Sequence, residues 1–233
     1  KSMGMIIEKY IGKTGRKLFM LFCWLFTLLV IAAFTELVSV SVHAIRRFDS
    51  IAHKRRKAVG IWGDGNLGYI TAIFFKAMFP NTKLYILGVD QEKLSGFSFA
   101  DDTFSVSDIP DDLYIDHAFE CVGGAASQQA INQIIDHIQP EGTISILGVS
   151  EYPVPINTRM VLEKGLRIFG SSRSGREDFL KTVELYKEHP EIIGYLRNIV
   201  GAQVEVRSIE DMNKAFETDI HKSMGKTIML WNK

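Results

Sequence analysis

The stretch Gly63-Asp64-Gly65-Asn66-Leu67-Gly68 decides the fold that this sequence predicts. It follows the short apolar run Ala58–Trp62 and opens a helical pattern from Leu67 to Met78. A strand, a glycine turn and a helix in this order match the dinucleotide-binding fingerprint GxGxxG. There the glycines permit a tight turn, close approach of a pyrophosphate and close helix packing. The helix start would offer N–H groups and a positive dipole end to phosphate. The alternative is a strand-turn-helix without a ligand.

Apolar runs and helical patterns alternate along the rest of the chain. This alternation predicts an α/β fold, a Rossmann-type doubly wound parallel sheet, over residues 58–200. Residues 201–233 predict a strand, a helix and a last strand. The sheet strands are predicted at 58–62, 83–87, 102–106, 114–120, 142–147 and 166–170.

Ligands of such a sheet bind beyond the carboxyl ends of its strands. We therefore predict cofactor contacts from the fingerprint and from the strand ends. Cys121 is not expected to be a nucleophile, because no histidine partner lies near it in the sequence. The predicted cofactor-side residues are Gly63, Gly65, Asn66, Leu67, Gly68, Gly88, Cys121, Val122, Gly123, Gly148 and Val149.

The residue that closes the second strand normally selects the cofactor. An acid there bonds the adenosine ribose of NAD(H), whereas a small residue leaves room for the 2′-phosphate of NADP(H). Gly88 takes this position when Glu92 begins the next helix, so NADP(H) is favoured over NAD(H). Lys93 is then a candidate phosphate partner. A shifted loop would instead place Asp90 there and favour NAD(H).

The run Gly170–Phe179 combines small hydroxyl residues, glycines and the arginines Arg173 and Arg176. This combination suits an anion bound near a helix N-terminus. An ordinary capped helix with surface arginines explains the same residues. Both interpretations stay open at this point.

Composition excludes several other classes of protein. The 27 basic and 27 acidic residues cancel, so the net charge gives no reason to expect a nucleic-acid partner. The two cysteines, Cys23 and Cys121, form no disulfide framework, which suits a reducing compartment. The six histidines and two cysteines form no metal cluster of the C-x-x-C type.

The first 35 residues differ from the rest. A basic segment, residues 1–17, precedes residues 18–35, which carry no charge and lie at the short end of the transmembrane range. We predict an apolar helix that either spans a membrane or packs as a buried or exposed helix. Its order, GKTGRKLFMLFCWLFTLLVIAAF, also resembles a transmembrane region of the carbon-starvation family of peptide transporters. The nucleotide-binding part is expected in the cytoplasm, with possible membrane association through 18–35.

Three longer runs resemble a known family. FECVGG (119–124), PEGTISILGVSEYPVPINTRMVLEKG (140–165) and GSSRSGREDF (170–179) closely resemble zinc-type medium-chain alcohol dehydrogenases, and among them ribulose-5-phosphate reductases. The resemblance implies reduction of ribulose 5-phosphate to ribitol 5-phosphate with NADPH and zinc, for teichoic acid or capsule synthesis. It also implies a sugar-phosphate substrate, a homodimer and a cofactor-side role for Arg173.

The same resemblance makes Glu36 a candidate remnant of a catalytic zinc ligand, in a connecting helix over residues 36–57. A glutamate that merely opens a helix is the simpler interpretation. A catalytic zinc needs three protein ligands, and the family's other ligands lie upstream, in a GroES-like catalytic domain that this sequence replaces with the apolar run. We therefore expect a fusion or truncation that binds NADP(H), does not hold zinc and turns over poorly, with no catalytic residue assigned.

Two further functions fit the sequence. One is a membrane-tethered nucleotide-binding or interaction module without turnover. The other is a different polyol or threonine dehydrogenase, because the substrate pocket depends on residues outside the nucleotide-binding part.

Overall fold

A computed structural model of the chain describes residues 3–221 and 225–231, without the side chains of residues 3–8, 16 and 23–36. Its main feature is a six-stranded parallel sheet in the order β3-β2-β1-β4-β5-β6. The strands are β1 (Ala58–Trp62), β2 (Lys83–Gly88), β3 (Asp102–Ser105), β4 (Ile115–Glu120), β5 (Ile138–Ile146), β6 (Arg167–Gly170), β7 (Val200–Val206) and β8 (Lys226–Trp231). The helices are α1 (Met3–Ile51), α2 (Asn66–Met78), α3 (Gln91–Ser95), α4 (Ser127–His137), α5 (Thr158–Glu163), α6 (Arg176–Glu188), α7 (Glu191–Leu196) and α8 (Ile209–His221), with a 3₁₀ turn at Arg197–Ile199.

The central strands are buried on both faces. All five residues of β1 are buried, and so are all six of β4. A parallel strand that is covered by helices on both sides has a nearly continuous run of apolar residues. The central strands could therefore be predicted from the sequence. The strand order reverses between β1 and β4, and this reversal is the topological switch point at which such sheets bind ligands. The predicted doubly wound α/β fold is confirmed.

Two apolar clusters cover the two faces of the sheet. On one face the carboxyl half of α1 packs with α2, where Phe48, Phe74 and Phe75 are completely buried. On the other face α4 packs Ile134 and Ile135 against the sheet. Each large side chain removed from water stabilises the fold by about 1.5–3 kcal/mol. The carboxyl half of α1 therefore belongs to the same folded unit as the sheet.

Residues 18–35, the segment predicted to be an apolar helix, lie in the middle of α1. The helical assignment continues across Gly12, whose backbone is not helical (φ 85°, ψ 179°). Within the described part of the chain, no helix combines the length and the apolar character needed to cross a membrane. The prediction of a transmembrane helix therefore gains no support. Cys23 and the side chains of 23–35 lie outside the described residues.

Beyond the large sheet, β7 and β8 form a separate two-stranded parallel sheet with α8 between them in the chain. This is the strand, helix and strand predicted for residues 201–233, with β7 beginning one residue earlier, at Val200. Two short helices, α5 and α7, were not predicted.

A buried histidine lies at the amino end of β4. His117 is completely buried, and its Nε2 lies 3.2 Å from the His53 carbonyl oxygen and 3.0 Å from that of Arg55. Its Nδ1 lies 3.1 Å from the Thr143 backbone nitrogen, which donates to it. A neutral ring with its proton on Nε2 satisfies all three contacts. Burial, together with the neighbouring His53 ring, lowers the pKa of His117 to about 4.

This histidine makes the fold sensitive to acid. Because the folded-state pKa lies below the unfolded value of about 6.5, the unfolded chain takes up the proton first. Neutral His117 makes its full contribution to the free energy of unfolding above about pH 6.5. We expect about 3 kcal/mol of this free energy to be lost as the pH falls towards 4. Urea unfolding at several pH values measures this loss. The His117→Gln variant should flatten the pH dependence, whereas the His137→Gln control should not; equal slopes in all three proteins would refute the assignment.

Candidate functional site

The glycine turn between β1 and α2 has the geometry that the fingerprint requires. Gly63 has φ 126°, and its N–H donates to the Leu87 carbonyl oxygen at 2.8 Å. A Cβ added at Gly68 would collide with the Gly63 carbonyl oxygen, so only glycine permits this close packing of helix on turn. Gly63 and Gly68 are therefore required by the fold itself.

The amino end of α2 is open. Gly65 is the N-cap residue and supplies no side-chain cap, and the first turn carries no acidic residue. A Cβ added at Gly65 would meet nothing within 4 Å. The first turn, with Asn66 and Leu67, therefore presents uncapped N–H groups and the positive dipole end to open space, and this arrangement suits a phosphate.

Asp64 joins the glycine turn to the end of β2. Its side chain is 8% exposed, and its Oδ2 accepts hydrogen bonds at 2.8 Å from the backbone N–H groups of both Val89 and Asp90. A Cβ added at Gly88 would lie 2.6 Å from the Asp64 Cβ. The absence of a side chain at Gly88 is thus a packing requirement imposed by Asp64, a residue that the GxGxxG pattern leaves variable.

The acidic residue of the loop after Gly88, Asp90, caps a helix. Asp90 Oδ1 accepts from the N–H groups of Glu92, at 2.9 Å, and Lys93, at 3.3 Å, and so caps α3. The Lys93 ammonium lies 3.8 Å from the other Asp90 oxygen. Strand β2 ends at Gly88, as the predicted register has it. The carboxylate of Asp90 therefore has its partners within the protein.

The ends of β4 and β5 are joined by the buried carboxylate of Glu120. Its Oε1 accepts from Val122 N–H at 3.0 Å and Gly123 N–H at 2.9 Å, and its Oε2 accepts from Gly148 N–H at 3.1 Å. Gly124 N–H donates to the Val149 carbonyl oxygen at 2.8 Å. These bonds hold the two loops together at the carboxyl edge of the sheet, where the sequence predicts the cofactor.

Cys121 faces the protein interior. Its thiol is 7% exposed and lies 3.9 Å from the Thr71 hydroxyl oxygen on α2. Burial, and then the charge of Glu120, raise the pKa of the thiol far above its usual range, so it stays protonated. Its N–H donates to the Trp62 carbonyl oxygen at 2.8 Å. Of the predicted cofactor-side residues, Cys121 thus offers neither a thiolate nor a free N–H.

The loop after β6 carries Arg173, which is exposed and adopts φ 64°. Asp178, at 3% exposure, fixes this loop to α1, because its carboxylate accepts from Gly175 N–H at 2.8 Å and from Arg46 at 2.6 Å and lies 2.9 Å from His43 Nδ1. Burial alone would raise the pKa of Asp178, but these partners outweigh it and hold the pKa below its ordinary value. Arg173 therefore sits on an anchored loop next to the β5 end.

The described side chains do not provide a set of ligands for zinc. Glu36 lies in α1, but its side chain is outside the described part of the structure. His43, seven residues later, contacts Asp178. Among the described residues, no group of three or more His, Cys, Asp or Glu side chains could hold a metal ion. The residues described here therefore do not fit a catalytic zinc.

Comparison with known proteins agrees with this geometry. The family of zinc-binding dehydrogenases matches residues 98–188. A ribulose-5-phosphate reductase of Bacillus spizizenii is 53% identical over 86% of this chain and 59% of its own length. Ribulose-5-phosphate reductase 1 of Staphylococcus aureus is 54% identical over 87% of this chain and 60% of its own length.

Solved structures give the same picture. S. aureus TarJ, in complex with NADPH, superimposes with a TM-score of 0.77 at 55% identity, over 85% of this chain and 63% of TarJ. Galactitol-1-phosphate dehydrogenase of Escherichia coli reaches a TM-score of 0.67 at 19% identity, over 85% of this chain and 60% of its own, a likeness of fold alone. The chain spans about three fifths of the length of the curated relatives it matches. Residues 98–188 thus match the family of zinc-binding dehydrogenases, and most of the chain is similar to ribulose-5-phosphate reductases.

Proposed function

We propose that this chain is the NADP(H)-binding part of an oxidoreductase that reduces ribulose 5-phosphate to ribitol 5-phosphate. The observation that carries the proposal is the uncapped amino end of α2 behind an open Gly65, beside a β2 that ends in Gly88. The 55% identity to TarJ, solved with NADPH, supports the choice of cofactor.

The cofactor would lie across the carboxyl edge of the sheet. We assign its pyrophosphate to the turn at 63–68 and its adenosine half to the β2 side, where Gly88 leaves room for a 2′-phosphate and Lys93 is a cation within reach of the loop. Its nicotinamide half then lies over the β4 and β5 ends. Residues assigned to that half are Val122, Gly123, Gly148 and Val149, with Arg173 on the adjoining loop.

Bound NADPH supplies a hydride to the substrate carbonyl carbon. The described residues contribute binding and orientation: the α2 end neutralises phosphate charge, and the joined β4 and β5 loops form a fixed floor. The catalytic zinc of the family enters no step assigned to these residues. The proposed unit for cofactor binding is residues 58–200, with 36–57 and 201–233 as the segments that contact the remainder of such an enzyme.

Two accompanying proposals concern the setting of this unit. We place it in the cytoplasm, since its proposed cofactor is NADPH. We also propose pairing of two copies at the sheet edge formed by β6, which within the described residues pairs only with β5.

Cofactor titration tests the proposal directly. Trp62 is completely buried in β1 and immediately precedes Gly63, so its fluorescence should transfer to a bound nicotinamide ring. We expect NADPH to bind at least about tenfold more tightly than NADH, which corresponds to about 1.4 kcal/mol. Equal affinities would reject the selectivity assigned to Gly88, and the absence of binding by a folded chain would reject the proposed function.

A further inference from the structure

We propose that the buried carboxylate of Glu120 stabilises the oxidised cofactor relative to the reduced one, so that it makes bound NADPH a stronger hydride donor. This inference rests on the proposed function, because it assumes that the chain binds NADP(H). In this role Glu120 holds the β4 and β5 loops in position, and its charge acts on the nicotinamide ring.

Glu120 is a charged residue in a fully buried strand. It is completely buried at the end of β4, a strand whose six residues are all buried. Both carboxylate oxygens accept backbone N–H groups, three in total from Val122, Gly123 and Gly148. The ionised carboxylate is the form that only accepts hydrogen bonds. No Lys or Arg side chain among the described residues forms an ion pair with it, so its charge is balanced by backbone dipoles alone.

The position of Glu120 puts its charge on the side of the sheet where the nicotinamide half of the cofactor would bind. The turn at 63–68 lies at the switch point, and the end of β2 is the place where such sheets bind the adenosine ribose. The nicotinamide half must therefore extend to the other side, over β4 and β5. Val122, Gly123 and Gly148, which would face that half, are the residues whose N–H groups Glu120 binds.

Hydride transfer changes the charge of the ring. The C–H bond of the reduced ring breaks and its electron pair moves with the hydrogen to the substrate carbonyl carbon, while the carbonyl oxygen takes a proton from water, which leaves hydroxide. The ring that remains carries one positive charge more than before. A buried anion attracts this cation through a medium of low dielectric constant, whereas the neutral reduced ring gains little. Glu120 thus favours the charge that forms during reduction of a carbonyl.

The structural and electrostatic roles of Glu120 have different signatures. Loosening of the two loops weakens binding of NADPH and NADP⁺ together. Loss of the charge weakens NADP⁺ more than NADPH, so the ratio of the two dissociation constants changes. This ratio is an equilibrium property and needs neither substrate nor zinc.

The experiment compares three variants of the full chain by fluorescence titration with NADPH and by competition with NADP⁺. Glu120→Gln keeps the shape and removes the charge, and it should raise the Kd ratio of NADP⁺ to NADPH about fivefold. Glu120→Asp keeps the charge and disturbs the loops, so both Kd values should rise and the ratio should stay within about twofold. The control Asp116→Asn removes a buried carboxylate at the opposite end of β4, about 13 Å away at strand spacing, and should leave the ratio unchanged.

Each outcome decides the matter. A ratio unchanged in Glu120→Gln, or a ratio shifted equally in Glu120→Asp, overturns the electrostatic role while the wild-type chain still binds NADPH. If Glu120→Gln does not fold, as judged by thermal unfolding, Glu120→Met takes its place, because it also removes the charge and keeps a side chain of similar length; a ratio unchanged in that variant overturns the inference. A wild-type chain that binds neither form rejects the proposed function and this inference with it, and is recognised before any variant is made.

Discussion

Replacing Gly68 with alanine is expected to abolish NADPH binding and to lower the free energy of unfolding by about 3 kcal/mol. The added Cβ would collide with the Gly63 carbonyl oxygen, a backbone atom that cannot rotate away. Gly63 is itself held at φ 126° by its bond to Leu87, and a Cβ there would lie 2.9 Å from the Cys121 carbonyl carbon. Relief of the collision therefore requires α2 to move off the sheet, which displaces the helix end that would bind phosphate.

The matched control is the neighbouring glycine of the same turn. Gly65→Ala adds the same methyl group where nothing lies within 4 Å, at φ −84° and ψ −177°, a conformation that alanine adopts readily. Its stability should therefore fall by less than about 1 kcal/mol. The methyl group would occupy the space through which a pyrophosphate approaches, so NADPH affinity should fall at least about tenfold.

Urea unfolding and fluorescence titration on both variants separate fold from function. The expected pattern is a large stability loss in Gly68→Ala and a pure affinity loss in Gly65→Ala. Unchanged NADPH binding by Gly65→Ala would place the pyrophosphate elsewhere, although the fold would be as described. Wild-type stability of Gly68→Ala would show that the turn relaxes more easily than its contacts indicate.

The parts of this fold that the sequence predicted are those governed by local rules. The run Ala58–Trp62 is β1 residue for residue, because a doubly covered parallel strand needs only apolar side chains. The glycine turn was predictable because its spacing follows from steric demands within six residues. The prediction was less accurate for the fifth strand, which was expected over 142–147, whereas β5 begins at Ile138 and pairs with β4 across a register shift.

The candidate site depends on contacts that no local pattern encodes. Asp64 occupies a variable position of the GxGxxG pattern, and its bonds to Val89 and Asp90 cross 25 and 26 residues of chain. Glu120 offered one usable signal, a charged residue at the end of a predicted sheet strand, since buried carboxylates are kept only with partners. Its partner Gly148 lies 28 residues away, so the sequence could not name it.

Moving the acid from position 64 to position 88 should reverse the cofactor preference. An acid at the end of β2 bonds the adenosine ribose hydroxyls of NADH and repels a 2′-phosphate. Gly88→Asp alone cannot provide this, because its Cβ would lie 2.6 Å from both the Cβ and Oδ2 of Asp64. The single variant should therefore bind both cofactors poorly and unfold at a lower temperature.

The double variant Asp64→Gly/Gly88→Asp removes the collision and leaves the net charge unchanged. Glycine is required at 64, because an alanine would retain the Cβ that collides. A charge-assisted hydrogen bond contributes about 1.5–3 kcal/mol, so we expect the NADH to NADPH affinity ratio to rise about a hundredfold over the wild type. Asp64→Gly alone releases the N–H groups of Val89 and Asp90, and it should weaken both cofactors without changing their order.

Titration of the four proteins with both cofactors forms a double-mutant cycle. The two sites are in contact, so the effects should be strongly non-additive, with the double variant binding NADH better than either single variant does. If Gly88→Asp alone binds NADH as tightly as the double variant, the Asp64 side chain moves aside to accommodate a side chain at position 88. Asp64 then does not require glycine at that position. If the double variant still prefers NADPH, the selectivity resides in the cation Lys93 rather than in the missing side chain, and Lys93→Gln should then remove it.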